Sequence, residues 1–165
     1  MKLFKQFAAI IACCLFFVSC APSSGRSLIS NDFKLKDLDG KTVALSDFRG
    51  KVVFVDFFAT WCPPCRQSIP AVESLYNKYK DNPNVVFLGI NVGEDKQKVK
   101  DFAKESGITY KVLLGDKNVM ASYKIRSIPS FFVIDARGNI SNKHVGYMPG
   151  LETQWDQDIK ILLEK

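Results

Sequence analysis

The sequence is poor in several things that protein chemistry commonly uses. Its 165 residues contain one histidine, His144, which excludes any mechanism built on two or three imidazoles. No block of Lys or Arg occurs. The 23 basic and 17 acidic residues are interspersed, so the formal charge of +6 points to no nucleic-acid partner. Ten Gly and seven Pro are too few for a collagen-like or Pro-rich chain, and there is no internal repeat. No apolar run approaches the roughly 20 residues a membrane span needs. A composition 47% hydrophobic and 24% charged argues against disorder. What is present is enough chain for one domain, which at this size buries roughly 70% of its unfolded surface. Cysteine is sparse, odd in number and unevenly spread: Cys13, Cys14, Cys20, Cys62 and Cys65.

The N-terminus reads as an address. Lys2 and Lys5 precede the apolar run Phe7–Val18, and small residues follow. A basic start, a short apolar stretch and small residues make a secretory signal, here residues 1–19; a buried N-terminal helix is the competing reading. Val18-Ser19-Cys20 resembles a bacterial lipobox, which implies Cys20 as the lipidated first residue and attachment to a membrane by a lipid anchor. Ordinary cleavage nearby and an uncleaved anchor are the alternatives. Residues 20–31, small and polar, read as a flexible tether, and 32–165 as the folded domain.

Within that domain strands alternate with helices. Phe33–Leu45 turns at Asp39-Gly40 and reads as a hairpin, and Ser46-Asp47 caps a short turn ending at Gly50. Lys51–Phe58 and Asn84–Asn91 are dense in β-branched and aromatic residues, as strands buried on both faces are. Cys62 to about Lys80 has apolar residues at helical spacing, with Pro70 expected to kink it. Asp95–Ser106 reads as a helix stopped by Gly107, Tyr110–Leu114 as a short strand, and Asn118–Lys124 as a short helix. Ser130–Asp135 and Ile140–Gly146 form strands joined at Arg137-Gly138-Asn139, and Leu151, Trp155, Ile159 and Leu162 mark a closing helix. The pattern implies an α/β fold with a mixed sheet covered on both faces.

The chemistry concentrates at Trp61-Cys62-Pro63-Pro64-Cys65, directly after a buried strand and at the start of a helix. Unpaired amide N–H groups there carry partial positive charge, which stabilises a thiolate and lowers the thiol pKa. Pro63 and Pro64 suit the first helical turn, where a missing N–H costs little, and stiffen the loop. Cys62 precedes the helix and is assigned as the attacking nucleophile; Cys65, one turn in, resolves the mixed disulfide. Half a zinc site would need two more ligands, and only His144 and carboxylates remain. A purely structural disulfide is a poor use of so small a loop. Asp56 is a carboxylate in the most apolar stretch outside the leader. Burial there should raise its pKa and fit it to accept the Cys65 proton, directly or through water; a solvent-facing Asp at a strand edge is the alternative. Pro129, after Ile128, opens a strand, where base rates favour a trans peptide.

Val55-Asp56-Phe57-Phe58-Ala59-Thr60-Trp61-Cys62-Pro63-Pro64-Cys65 resembles the active-site strand and turn of the thioredoxin family. Pro70 matches its helix proline, Ile128-Pro129 its cis-proline loop, and Val145-Gly146 its groove glycine. The longer stretch between Cys62 and Pro129, containing Asn91-Val92-Gly93-Glu94 with a further helix and strand, resembles the TlpA-like (ResA-like) branch of tethered extracytoplasmic thiol-disulfide oxidoreductases. The resemblance implies a thioredoxin-like three-layer α/β/α sandwich with an N-terminal β-hairpin and a βα insertion before the cis-Pro loop. It implies a cis Pro129 opposite the disulfide and a substrate-facing set of Trp61, Pro63, Pro64, Ile128, Pro129 and Gly146. Trp61 would wall the groove, with core packing as the other use of such a residue, and the Ile128 backbone would pair with an extended substrate. Both positions between the cysteines are proline, where apocytochrome reductases of this branch often carry an acid. The branch is classified near the peroxiredoxins (AhpC/TSA), whose Pro, Thr and lone peroxidatic Cys are not present.

The function expected is dithiol–disulfide exchange with protein thiols and disulfides outside the cytoplasm, as a reductant serving cytochrome c maturation or redox homeostasis. The expected cofactor is none beyond the Cys62–Cys65 disulfide, with no metal. A membrane electron donor or acceptor is the expected partner, and the chain is expected to be a monomer. The competing readings are a thiol peroxidase, supported only by Thr60 and Cys62, and a non-enzymatic lipoprotein binding a metal or a partner.

Overall fold

A computed structural model describes residues 32–165. The leader over 1–19, lipidation at Cys20 and the tether over 20–31 lie outside the described residues. Seven strands form one mixed sheet in the order β2-β1-β5-β4-β3-β6-β7. These are β1 (Lys34–Asp37), β2 (Thr42–Ala44), β3 (Val52–Phe58), β4 (Val85–Asn91), β5 (Lys111–Leu114), β6 (Ser130–Ile134) and β7 (Ile140–Val145). The helices are α1 (Pro63–Tyr79), α2 (Lys96–Glu105), α3 (Lys117–Ser122) and α4 (Leu151–Leu163), with a 3-10 turn at Leu45–Phe48.

The β-branched and aromatic run at the centre produces β3, every residue of which is buried. It pairs in parallel with β4 and antiparallel with β6. β4 pairs in parallel with β5, and the hairpin β1–β2 joins antiparallel to the outer side of β5. The hairpin turn is closed by Asp37, whose carboxylate accepts from the Asp39 and Lys41 amides at 3.0 and 2.9 Å. Gly107, at φ 69°, ends α2: the Ile108 amide reaches back to the Ala103 carbonyl at 2.9 Å, as a left-handed cap allows. The α1 helix continues through Pro70 to Tyr79, although proline there withholds the N–H that residue 66 would otherwise receive.

The sheet is covered on both faces. One face packs under α1, α2 and α4, through Phe54, Phe87, Phe131, Trp155 and Ile159 at one end and Phe58, Ile69, Val99 and Phe102 at the other. The opposite face, with Val53, Val55, Phe57, Leu88, Ile90 and Phe132, lies under α3 and the 3-10 turn. This is the three-layer α/β/α arrangement with the hairpin at its edge and α2–β5 inserted between α1 and the Pro129 loop.

Candidate active site

The end of β3 delivers the chain into α1. Ala59 to Trp61 form the turn, and Cys62 is the N-cap of the helix, with the Cys65 amide donating to its sulfur at 3.2 Å. Pro63 and Pro64 occupy the first two helical positions, where no N–H is missed. Cys62 and Cys65 are joined as a disulfide with Cα atoms 5.3 Å apart. Cys65 is fully enclosed and Cys62 is 3% exposed, so Cys62 is the residue nearer solvent, though the surface over both is nearly closed. Reduction frees a Cys62 thiolate against the helix N-terminus, where the Cys65 amide already points at it.

The Ile128–Pro129 peptide is cis. It faces the disulfide, with the Ile128 carbonyl oxygen 3.8 Å from Cys62 Sγ. Pro129 starts the chain into β6, and its carbonyl accepts from the Gly146 amide at 2.8 Å, so the end of β7 is tied to the loop. Gly146 sits at φ 80°, a conformation a side chain at that position would strain. Trp61 is 63% exposed, and Val145 and Met148 are the other large apolar residues left open at this end of the sheet. Core packing is therefore not what Trp61 does. Pro63 is exposed, Ile128 partly buried and Pro129 buried.

Asp56 lies inside β3, opposite Gly89 of β4 and Phe131 of β6. By strand alternation it shares a face with Phe54 and Phe58, the face beneath α1 that also receives Cys65. It is 1% exposed, and burial pushes its carboxyl up to about 7 against the opposing effect of a hydrogen bond from Tyr110. Tyr110 Oη donates to Oδ2 at 3.3 Å, and Oδ1 has no protein partner.

Two further charged residues hold the turn. Glu94 accepts from the Thr60 amide and hydroxyl, both at 2.7 Å, and from Asn91 Nδ2 at 2.8 Å, while Lys98 pairs with it at 2.7 Å. Burial alone would raise its carboxyl, but these donors together outweigh it and hold the group down to about 2. Arg66 Nε donates to the Thr60 carbonyl at 2.8 Å and lies 4.9 Å over the Phe102 ring. Every polar group of Thr60, two residues before Cys62, is thus bound by a charged side chain. The sequence marks Asn91-Val92-Gly93-Glu94 as part of an insertion but does not disclose this role, nor those of Arg66, Tyr110 and Gly89. A glycine inside a buried strand was the available signal, since it marks close approach by another group.

Cys62, Cys65, Ile128, Pro129 and Gly146 thus lie together at one end of the sheet, with Trp61 next to Cys62 in the turn and Asp56 within β3 on the face beneath α1. His144 is elsewhere, paired with Asp158 of α4 at 2.8 Å. Among the described residues no group of three His, Cys, Asp or Glu is placed to hold a metal ion.

Residues 24–159 match the family described as Redoxin. The thioredoxin-like protein YneN of Bacillus subtilis (strain 168) is 38% identical over 129 residues, covering 78% of this chain and 76% of its own. The thiol-disulfide oxidoreductase ResA of Geobacillus thermodenitrificans (strain NG80-2) is 37% identical over 134 residues, covering 81% and 73%. The crystal structure of a thiol:disulfide interchange protein of the thioredoxin family from Chlorobium tepidum TLS superposes with a TM-score of 0.74 at 33% identity, covering 86% of this chain and 99% of that one.

Proposed function

The chain belongs to the Redoxin family, in the ResA-like branch of the thioredoxin superfamily, and is a thiol-disulfide oxidoreductase; from that premise we propose that it reduces disulfides of extracytoplasmic proteins. The carrying observation is the Cys62–Cys65 pair at the N-terminus of α1, within reach of the Ile128 carbonyl.

In the reduced enzyme the Cys62 thiolate attacks one sulfur of a substrate disulfide. An S–S bond forms between Cys62 and substrate, and the first substrate thiolate leaves. Cys65 then attacks Cys62, releasing the second substrate thiolate and closing the Cys62–Cys65 disulfide. Two electrons pass from the pair to the substrate, and the Cys65 proton passes to Asp56. A carboxyl titrating at about 7 is divided between acid and base near neutrality, which suits a group that must take up and return a proton. The enzyme is re-reduced by a membrane thiol donor. Its cofactor is this disulfide alone, and no metal takes part.

An extended substrate segment pairs with the Ile128 backbone, as a strand added to a sheet edge does, with Trp61, Pro63, Pro64, Pro129 and Gly146 shaping the groove. The exposed Trp61, Val145 and Met148 supply its apolar wall. The chain acts as a monomer tethered outside the cytoplasm through a lipid on Cys20, with cytochrome c maturation or envelope redox homeostasis as its setting. Among the described residues no helix is long and apolar enough to cross a membrane.

Insulin reduction with dithiothreitol tests the exchange: Cys62→Ser should fall to the uncatalysed background, and wild-type activity in that variant would remove Cys62 as nucleophile. Direction is tested by the potential of the pair in a glutathione series. A value near that of thioredoxin, about −270 mV, supports a reductase; one at or above about −180 mV reverses the proposal.

A further inference from the structure

Tyr110 is the only group that hydrogen-bonds the Asp56 carboxyl among the described residues, and its position is built from several sides. Its ring lies over Gly89, the residue paired with Asp56 on β4: a Cβ on Gly89 would stand 2.9 Å from Tyr110 Cε2 and 3.2 Å from Phe58 Cε1. The missing side chain is what lets a phenol cross β4 and reach a carboxylate on β3. Tyr76 of α1 packs edge-on against the ring, with centroids 6.0 Å apart. The preceding residue is fixed to α1 as well, Thr109 donating its amide and hydroxyl to Glu73 at 2.5 and 2.8 Å.

From this geometry we infer that Tyr110 is a positioning residue for the exchange reaction: its hydroxyl, admitted by Gly89, favours the ionised form of Asp56 and so sets the pH range in which Asp56 can accept the Cys65 proton. The inference rests on the reading of Asp56 as that acceptor.

The surroundings leave this task to Tyr110. The neighbouring strands present Gly89 and Phe131 at the register of Asp56, and α4 places Trp155 against Phe54 and Phe131. Cys65 of α1 belongs to the cluster on this face, and Glu73 of α1 acts on the phenol rather than on Asp56. No lysine, arginine or histidine among the described residues acts on the carboxyl. Tyr110 itself is buried beside two acids, which pushes its hydroxyl well above the ordinary value. The phenol therefore keeps its proton throughout the range in which Asp56 titrates and remains a donor. A hydrogen bond to a carboxylate stabilises the charged form, whereas burial does the reverse, so the two effects divide the control of this acid between them.

The test separates the contact from the chemistry. In the oxidised whole protein, where the disulfide cannot titrate, the Asp56 carboxyl is followed by carbon NMR with labelled aspartate, assigned through Asp56→Asn. Tyr110→Phe should raise the midpoint by about one pH unit. Gly89→Ala, which keeps the hydroxyl but displaces the ring, should shift it in the same direction. An unchanged midpoint in folded Tyr110→Phe would overturn the inference, whatever Gly89→Ala does. The pH profile of mixed-disulfide resolution is then measured in the reduced enzyme. Tyr110→Phe should move it to higher pH in the wild-type background and not at all in Asp56→Asn. A shifted carboxyl midpoint with an unshifted rate profile keeps the Tyr110 contact and removes Asp56 as the proton acceptor.

Discussion

Alternate residues of β3 look to opposite faces of one sheet, and the two rows differ in kind. Val53, Val55 and Phe57 enter a cluster of aliphatic and aromatic side chains under α3 that holds no carboxyl. Phe54, Asp56 and Phe58 face α1, and this row carries a carboxyl where its neighbours carry rings. Both rows are equally dry. The first uses dryness for cohesion: Phe57 packs edge-on against Phe132 at 5.5 Å and tilted against Tyr123 at 5.3 Å. The second uses it to hold a carboxyl at about 7. The same exclusion of water that stabilises one row makes the other a stored cost, released only when Asp56 is protonated.

Three substitutions would sharpen or break that contrast. Phe57→Ala should destabilise by about 3–5 kcal/mol in urea unfolding, by about the same amount at pH 4 and pH 8, because nothing it touches through its ring ionises in that range. A loss that varied strongly with pH would merge the two rows. Asp56→Asn should do the opposite. The folded carboxyl titrates above its ordinary value of 3.8, so its contribution to stability is complete below about 4 and is lost as pH rises to about 7. The variant should therefore unfold like the parent at pH 4 and be more stable at pH 8, by at most about 4 kcal/mol, while exchange slows. Equal stability at both pH values would mean that the acid is not a cost. Glu94→Gln probes the polar rim beyond the strand. The Glu94 carboxyl is held below its ordinary 4.5, so its contribution is present above that pH and lost as pH falls through about 2. The variant should cost about 1–2 kcal/mol at pH 7 and nothing near pH 2, and calorimetry across that range reads it directly.

Much of this was legible beforehand. The apolar pattern predicts the buried strands to within a residue of their ends, Lys51–Phe58 against Val52–Phe58 and Asn84–Asn91 against Val85–Asn91, because a continuous apolar run with β-branched residues has few other uses. The active-site turn was legible because Cys-Pro-Pro-Cys after such a strand combines a helix start with paired thiols. What stayed hidden was everything set by neighbours distant in sequence. Tyr110 read as the first residue of a short strand, yet it precedes β5 and serves a carboxylate 54 positions away. Glu94 reaches back 34 positions to Thr60. That the hairpin would join β5 rather than another edge depends on sheet order, which alternation along a strand does not encode. The short helix expected over Asn118–Lys124 forms at Lys117–Ser122, set by Asp116, whose carboxylate caps the Val119 amide at 2.8 Å.

The two tryptophans divide between the environments of the molecule, Trp61 lying open beside Cys62 and Trp155 fully enclosed against Phe54 and Phe131. Because Trp61 directly precedes a redox-active disulfide and Trp155 does not, indole emission is expected to report the oxidation state through the exposed ring and the integrity of the core through the enclosed one, and emission recorded before and after reduction of Cys62–Cys65 checks it.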